Sequence, residues 1–192
     1  MLHSDIKKAI RKGQFELNDQ NDLYLPRQKV VVGGFFEYEA YREGDLLGVG
    51  RSHNLVVNEG LNHLLNVALN NATQTATWYV GLYKTAVAPA AGWTAATIHS
   101  NATKADEFDE TTLPEYVEAA STAQSITNSA AKATFTMNAT VTINGAYLKS
   151  NNVKLVTDTT GILFCASQFT VGRDLVDNDE LLITYTINAT ST

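Results

Sequence analysis

Residues 54–83 constrain the fold more than any other part of the chain, because an amphipathic helical pattern runs there directly into an aromatic strand pattern. Asn58 is the expected N-cap of a short helix over residues 58–70, with Glu59 in its first turn. Four apolar residues recur at three- and four-residue spacing and give this helix one apolar face: Leu61, Leu64, Leu65 and Ala68. A helix this short needs a partner to bury that face, and we expect the strand that follows to supply it.

That strand, predicted over residues 78–83 (WYVGLY), is flanked by further β patterns. Upstream, residues 36–41 (FEYEAY) alternate between apolar and charged side chains, and the turn at residues 42–45 predicts a hairpin whose second strand covers residues 46–57. Gly33 and Gly34 predict a bulge or bend in the first strand of this hairpin.

Four more strands are predicted downstream, separated by turns rich in Asn and Asp, over residues 133–137, 140–148, 161–169 and 180–188. Successive strands without intervening helices are typical of antiparallel sheets. The sequence therefore predicts an all-β fold, mainly an antiparallel β-sandwich or jelly roll, with one short packed α-helix and an extended N-terminal arm.

The 192 residues suffice for one domain with an appended arm. Residues 1–28 are predicted to form a basic, extended N-terminal arm, and residues 29–192 a single β-rich domain. Residues 86–129 have little periodicity, and so long a connection is unusual in a compact domain. We expect a short strand near residues 116–119 and otherwise a course over the surface, where long loops contact partners.

Charge is distributed unevenly along the chain. The formal net charge is −6, but residues 1–13 hold four cations against Asp5, which gives a local excess of +3 and leaves −9 for the remainder. Phosphate contacts require clustered Lys and Arg, so an acidic body argues against specific nucleic-acid binding. No apolar run approaches membrane-spanning length and no signal-peptide pattern is present, so we expect no membrane partner.

The basic arm is the strongest candidate for a partner contact. The predicted partner-binding residues are Ile6, Lys7, Lys8, Ile10, Arg11 and Lys12. The isoleucines would supply an apolar anchor and the cations would attract an acidic partner surface. Contact with packaged nucleic acid and a solvated tail are the alternatives.

Residue types that carry catalysis are not grouped in a recognisable pattern. Cys165, the only cysteine, lies in a strand-like segment and is expected in the core. The four histidines lack zinc-site spacing, so no metal site is predicted from them. Asp177, Asp179 and Glu180 precede a strand and are weak calcium candidates, although a solvated loop is the favoured interpretation. With no phosphate loop, nucleophile elbow or Ser/His/Asp pattern, the sequence predicts a non-enzymatic protein without a cofactor.

Five segments follow one another in a characteristic order: NLVVNEGLNHLLNVAL, TWYVGLYK, GWTAAT, ITNSAAKATFTMNATVTINGAYL and GILFCASQF. In this order the chain resembles a family of small virion structural proteins of tailed bacteriophages, over roughly residues 51–186. The resemblance implies a structural part of the virion, assembled in the cytoplasm of the bacterial host, with no enzymatic activity.

On this resemblance, the expected function is that of a decoration or cement protein, which binds the major capsid protein and stabilises the icosahedral head. A homo-oligomer is also expected, because self-association multiplies weak contacts. One alternative is a neck, tail or fibre-base component present in few copies. Another is a carbohydrate-binding module that recognises a bacterial surface glycan through exposed aromatic side chains, with calcium bound at the loop of Asp177, Asp179 and Glu180.

Overall fold

The structure is a computed structural model and describes Glu16–Leu17, Leu23–Tyr24 and residues 30–191. The chain divides into two compact units, one made of Met1–Val31 with Ala189–Thr192 and the other of Val32–Asn188. In the first unit, β1 (Glu16–Leu17) pairs antiparallel with β2 (Leu23–Tyr24). The predicted partner-binding residues of the arm, from Ile6 to Lys12, lie outside the described residues.

The remaining described elements begin at Val30 and end at Ser191. In chain order they are β3 (Val30–Arg42), β4 (Asp45–His53), β5 (Leu55–Val56), α1 (Asn58–Leu69), β6 (Tyr79–Tyr83), α2 (Ile98–Ala102), β7 (Ser125–Thr127), β8 (Ala133–Thr136), β9 (Val141–Lys149), β10 (Leu163–Leu175) and β11 (Glu180–Ser191).

These strands form two antiparallel sheets packed as a sandwich. One sheet has the order β5-β10-β9-β6, and the other has the order β4-β3-β11-β7 with β8 as a further partner of β11. The predicted all-β sandwich with one short helix near residues 58–70 is confirmed. The structure adds a second short helix, α2, that the sequence analysis did not predict.

The core lies between the two sheets and follows from the period of two along each strand. In β3, Phe36, Tyr38 and Ala40 are buried, while the intervening glutamates are partly exposed. The ring of Phe36 stacks on Tyr185 of the neighbouring strand β11, with ring centroids 4.3 Å apart. The alternation read from the sequence therefore identifies the buried face of this strand.

The predicted hairpin is present as β3 and β4. Glu43 and Gly44 form its turn with φ values of +50° and +87°, a conformation that favours the glycine. The second strand ends earlier than predicted, at His53, because the chain then crosses to the other sheet and Val56 of β5 pairs with Cys165 of β10. One predicted strand is thus two strands in different sheets.

Gly34 has a different role from the bulge or bend predicted at the glycine pair. A Cβ at this position would lie 2.0 Å from the carbonyl oxygen of Thr186. Glycine is therefore required so that β3 and β11 can approach closely. The register shift between β3 and β4 occurs elsewhere, between Ala40 and Tyr41.

Residues 86–129 do not follow the predicted surface course. This segment contains α2 and contributes several buried side chains to the core: Trp93, Ala95, Ile98, Ala102, Ala105, Phe108, Leu113 and Tyr116. It also covers the outer edge of β6, where the amide of Val80 donates to the carbonyl of Pro114 and the amide of Ala105 donates to the carbonyl of Leu82. The short strand expected near residues 116–119 is reduced to an isolated bridge between Tyr79 and Glu115.

Candidate functional site

Helix α1 leaves most of its apolar face uncovered, which contradicts the expectation that the following strand buries it. Leu61 is 36% exposed, Leu64 39%, Leu65 55% and Leu69 82%. Gly60 is the one buried residue of the helix. We call the exposed set Leu61, Leu64, Leu65, Ala68 and Leu69 the α1 face. A 12-residue helix gains most of its stability from packing, so an uncovered face of this kind indicates a docking surface.

The body of the protein holds α1 mainly through the first turn of the helix. One carboxylate oxygen of Glu59 accepts hydrogen bonds from the backbone amides of Ala95, at 2.8 Å, and Leu163, at 2.7 Å. Gly60 lies so close to β10 that a Cβ would be 2.2 Å from the carbonyl oxygen of Phe164. The predicted cap Asn58 is instead the first helical residue, and Val57 occupies the N-cap position without a side-chain cap bond. Glu59 lies in the first turn of the helix, as predicted. That it anchors the helix to Ala95 and Leu163 was not predicted.

Helix α1 borders a cleft of about 270 Å³ that is also lined by residues of both sheets and by Glu118. His63, Leu64 and Val67 of the helix line the cleft together with Trp78 and Phe164. The His63 ring packs edge-on against Trp78, with centroids 5.5 Å apart, and its Nε2 lies 3.1 Å from the Thr75 hydroxyl. Because the partly exposed Leu64 also lines the cleft, the apolar cleft and the α1 face are continuous.

A second apolar surface lies on the edge strand β4. Leu46, Leu47 and Val49 are 55%, 43% and 59% exposed. The alternate positions Gly48 and Gly50 have no side chains, and Arg173 and Tyr38 occupy the space against them. Apolar side chains on an edge strand are typical of a surface that pairs with or packs against another chain. We call Leu46, Leu47 and Val49 the β4 edge; the two glycines within an apolar run were the sequence signal for it.

The weak calcium candidates lie at the start of β11. Both carboxylate oxygens of Asp179 accept hydrogen bonds from the Arg42 guanidinium, at 2.8 Å each, and the amide of Val176 donates to the same group. These bonds hold the pKa of Asp179 below its ordinary value of 3.8. Asp177 and Glu180 are exposed, whereas Asp179 is fully buried. Asp179 therefore anchors the hairpin end of β3 and is not part of a solvated loop.

Two buried lysines hold the loop that follows β9. Lys149 pairs with the Asp158 carboxylate, and Lys104 donates to the carbonyls of Leu155, at 3.1 Å, and Asp158, at 2.7 Å. Burial, together with the neighbouring charge of Lys149, lowers the pKa of Lys104 to about 8. Burial opposes ionisation of Asp158, but hydrogen bonds from Lys149 and Thr160 outweigh it and lower the pKa of Asp158 to about 2. The cluster is enclosed, and its polar groups bond to one another, so it has the character of a structural clamp.

Cys165 lies in β10 and is buried, as predicted. Burial raises the pKa of its thiol to about 12, so the thiol is unreactive. Within Glu16–Leu17, Leu23–Tyr24 and residues 30–191, no group of three or more His, Cys, Asp or Glu side chains is arranged to hold a metal ion. None of the helices in this part of the chain is long and apolar enough to cross a membrane.

Comparison of the chain with protein-family models finds no match, and a search of curated proteins finds none. The geometry of the site therefore carries the functional argument together with the resemblance read from the sequence. The two distinctive surfaces of the described residues, the α1 face and the β4 edge, are apolar and exposed. Both are suited to binding another macromolecule.

Proposed function

We propose that the chain is a non-enzymatic structural protein of a bacteriophage virion, a decoration or cement protein that binds the major capsid protein and stabilises the icosahedral head. The observation that carries the proposal is the β4 edge, which presents Leu46, Leu47 and Val49 to solvent on a sheet edge. The ordered resemblance over roughly residues 51–186 supports the same class of protein.

The physical logic depends on contacts that only the assembled shell presents. A protein that bridges neighbouring capsid subunits binds the assembled state and not the separate subunits, so binding stabilises assembly by mass action. The β4 edge suits such bridging because its apolar side chains lose contact with water when a shell surface covers them. Copies that also associate with one another strengthen the effect through a high effective concentration.

The chain binds the major capsid protein and also associates with other copies of itself. It binds neither a membrane nor a specific nucleic acid. The protein is assembled in the bacterial host cytoplasm and is then part of the virion. The basic N-terminal arm, with Lys7, Lys8, Arg11 and Lys12, is a proposed additional contact.

A carbohydrate-binding module is less well supported by the geometry. Sugar recognition uses exposed aromatic platforms, but every Phe, Tyr and Trp residue between Val30 and Ser191 is buried or half-buried. Trp93 is 6% exposed and packs edge-on against Tyr83, while Trp78 packs against His63 and Phe164.

A neck, tail or fibre-base component has the same requirement for binding surfaces, and its low copy number separates it from a decoration protein.

The first test is the copy number of the chain in purified particles, measured by quantitative mass spectrometry against the major capsid protein. An abundance comparable with the shell protein is expected. An abundance tens of times lower would assign the chain to the neck, tail or fibre apparatus, and its absence from particles would overturn the virion proposal.

The second test uses heads that lack the chain and purified protein added back to them. Val49→Asp places a charge on the β4 edge and is expected to weaken attachment at least about tenfold, because a buried unpaired charge opposes contact. Val117→Asp is the matched control, since Val117 is 49% exposed against 59% for Val49 and lies in a different segment. Equal attachment by the two variants would contradict the role of the β4 edge.

A further inference from the structure

The α1 face of this acidic protein combines apolar exposure with an absence of charged side chains. Its leucines project from a helix whose only charged residue, Glu59, is held by backbone amides of the body. Between Gly60 and Tyr83 the chain contains no Asp, Glu, Lys or Arg. Asn62, Asn66 and Asn70 flank the leucines at four-residue spacing and supply neutral hydrogen-bonding groups.

We propose that the α1 face is the self-association surface of this protein and that its occupant is the α1 face of a second copy. The inference rests on the self-association part of the proposed function and is independent of capsid binding. Leu61, Leu65 and Leu69 lie four residues apart on one side, with Leu64 and Ala68 beside them, which is the spacing of helix–helix packing. Two such faces bury leucines against leucines.

Charge identifies a second copy as the occupant. The chain as a whole carries a net charge of −6, so two copies repel each other over most of their surface. The α1 face itself carries no charged side chain, and Glu118 is the one acidic residue in the described part of the chain that lines the adjoining cleft, so two copies that meet through this face place few like charges together. A charged partner would instead find no opposite charge there to pair with, and desolvating its own charges would cost free energy. An uncharged apolar face is complementary to itself, as a two-fold contact requires.

The size of the face sets the strength of the contact. A helix of 12 residues is about 18 Å long and about 10 Å wide. This footprint, even when enlarged by the adjoining cleft, falls below the roughly 800 Å² per partner of a standard stable interface. Pairing in dilute solution is therefore weak and reversible. It becomes strong when copies are held side by side, as effective concentration replaces bulk concentration.

Cysteine cross-linking traps a weak contact of this kind. Leu65 is the midpoint of the series Leu61, Leu65 and Leu69, so it faces its own counterpart whether the two helices run parallel or antiparallel. Leu65→Cys in the full chain is expected to form disulfide-linked dimers under mild oxidation about tenfold faster than Leu155→Cys. Leu155 is a matched control because it is 59% exposed against 55% for Leu65, and Cys165 is buried and does not compete.

Sedimentation velocity of the protein without an introduced cysteine gives the second readout. The wild-type sedimentation coefficient is expected to rise with concentration up to about 1 mM, and Leu65→Asp, with an unchanged circular dichroism spectrum, is expected to abolish the rise. Cross-linking of Leu65→Cys at the rate of Leu155→Cys, with no rise for the wild type, would overturn self-association at this face. If Leu65→Asp then lost attachment to heads, the occupant would be a capsid protein and the proposal would be wrong.

Discussion

At the scale of single residues, Asp179 is the group whose loss the fold should tolerate least among the acidic side chains of its loop. It is buried and accepts two hydrogen bonds from Arg42 and one from the amide of Val176. Asp179→Asn is expected to lower the free energy of unfolding by about 2 kcal/mol, because the amide cannot accept both guanidinium bonds. Urea denaturation measures the loss. Asp177→Asn, at an exposed neighbour, is the control and should change stability by less than about 0.5 kcal/mol.

The same residue predicts a pH dependence with a definite sign. Arg42 lowers the pKa of Asp179 in the folded protein from its ordinary value of 3.8. The folded state therefore binds this proton less readily than the unfolded state, and the stabilisation is present above pH 3.8 and is lost as the pH falls through the lower folded pKa. Acid titration of thermal stability should show a shallower decline for Asp179→Asn than for the wild type. Parallel curves would mean that the pair contributes nothing to acid sensitivity.

At the scale of elements, the contact between α1 and β10 depends on one missing side chain. Alanine favours a helix over glycine by about 1 kcal/mol, so Gly60→Ala would stabilise an isolated helix. In the protein, the new Cβ would lie 2.2 Å from the carbonyl oxygen of Phe164, and the helix must move away. We expect a net loss of about 2 kcal/mol in the free energy of unfolding.

The control for this prediction lies in the same helix. Asn62 is exposed, so Asn62→Ala gains helix propensity without a steric cost and should be neutral or stabilising by about 0.5 kcal/mol. Thermal or urea unfolding of the two variants separates packing from propensity. A Gly60→Ala variant as stable as Asn62→Ala would show that α1 is not tightly seated on β10.

The same helix shows how far a sequence predicts structure in this protein. The periods of β3 and α1 are local, so the strand, its buried face and the helix could be read directly from the order of residues. The partners of Glu59 could not, because Ala95 and Leu163 are 36 and 104 positions away. Helical periodicity likewise showed that an apolar face exists, but it contains no information on whether that face packs within the chain or against another molecule. The expectation that it is buried was wrong for that reason.

The prediction that residues 86–129 follow a surface course was wrong for a related physical reason. Small and polar residues without periodicity predict a surface loop. Its buried side chains, among them Ile98, Phe108 and Tyr116, are spaced irregularly because each fills a separate gap along the edge of the sandwich. Packing of this kind is decided by the shape of the assembled sheets, which local patterns do not encode.

At the scale of the whole molecule, salt separates two ways in which copies can associate. If the uncharged α1 faces meet, no ion pair forms at the contact, while the net charge of −6 on each copy opposes approach. Raising NaCl from about 0.05 to about 0.5 M screens that repulsion, so self-association should strengthen or stay constant. If instead the basic residues near Lys7 and Arg11 of one copy bind the acidic body of another, the same change should weaken it. Sedimentation velocity at the two salt concentrations measures the direction. A marked fall in association at high salt that Leu65→Asp does not affect would place the contact on the basic arm. A rise in association that Leu65→Asp removes would place the contact on the α1 face, because only an apolar contact both survives screening and depends on that leucine.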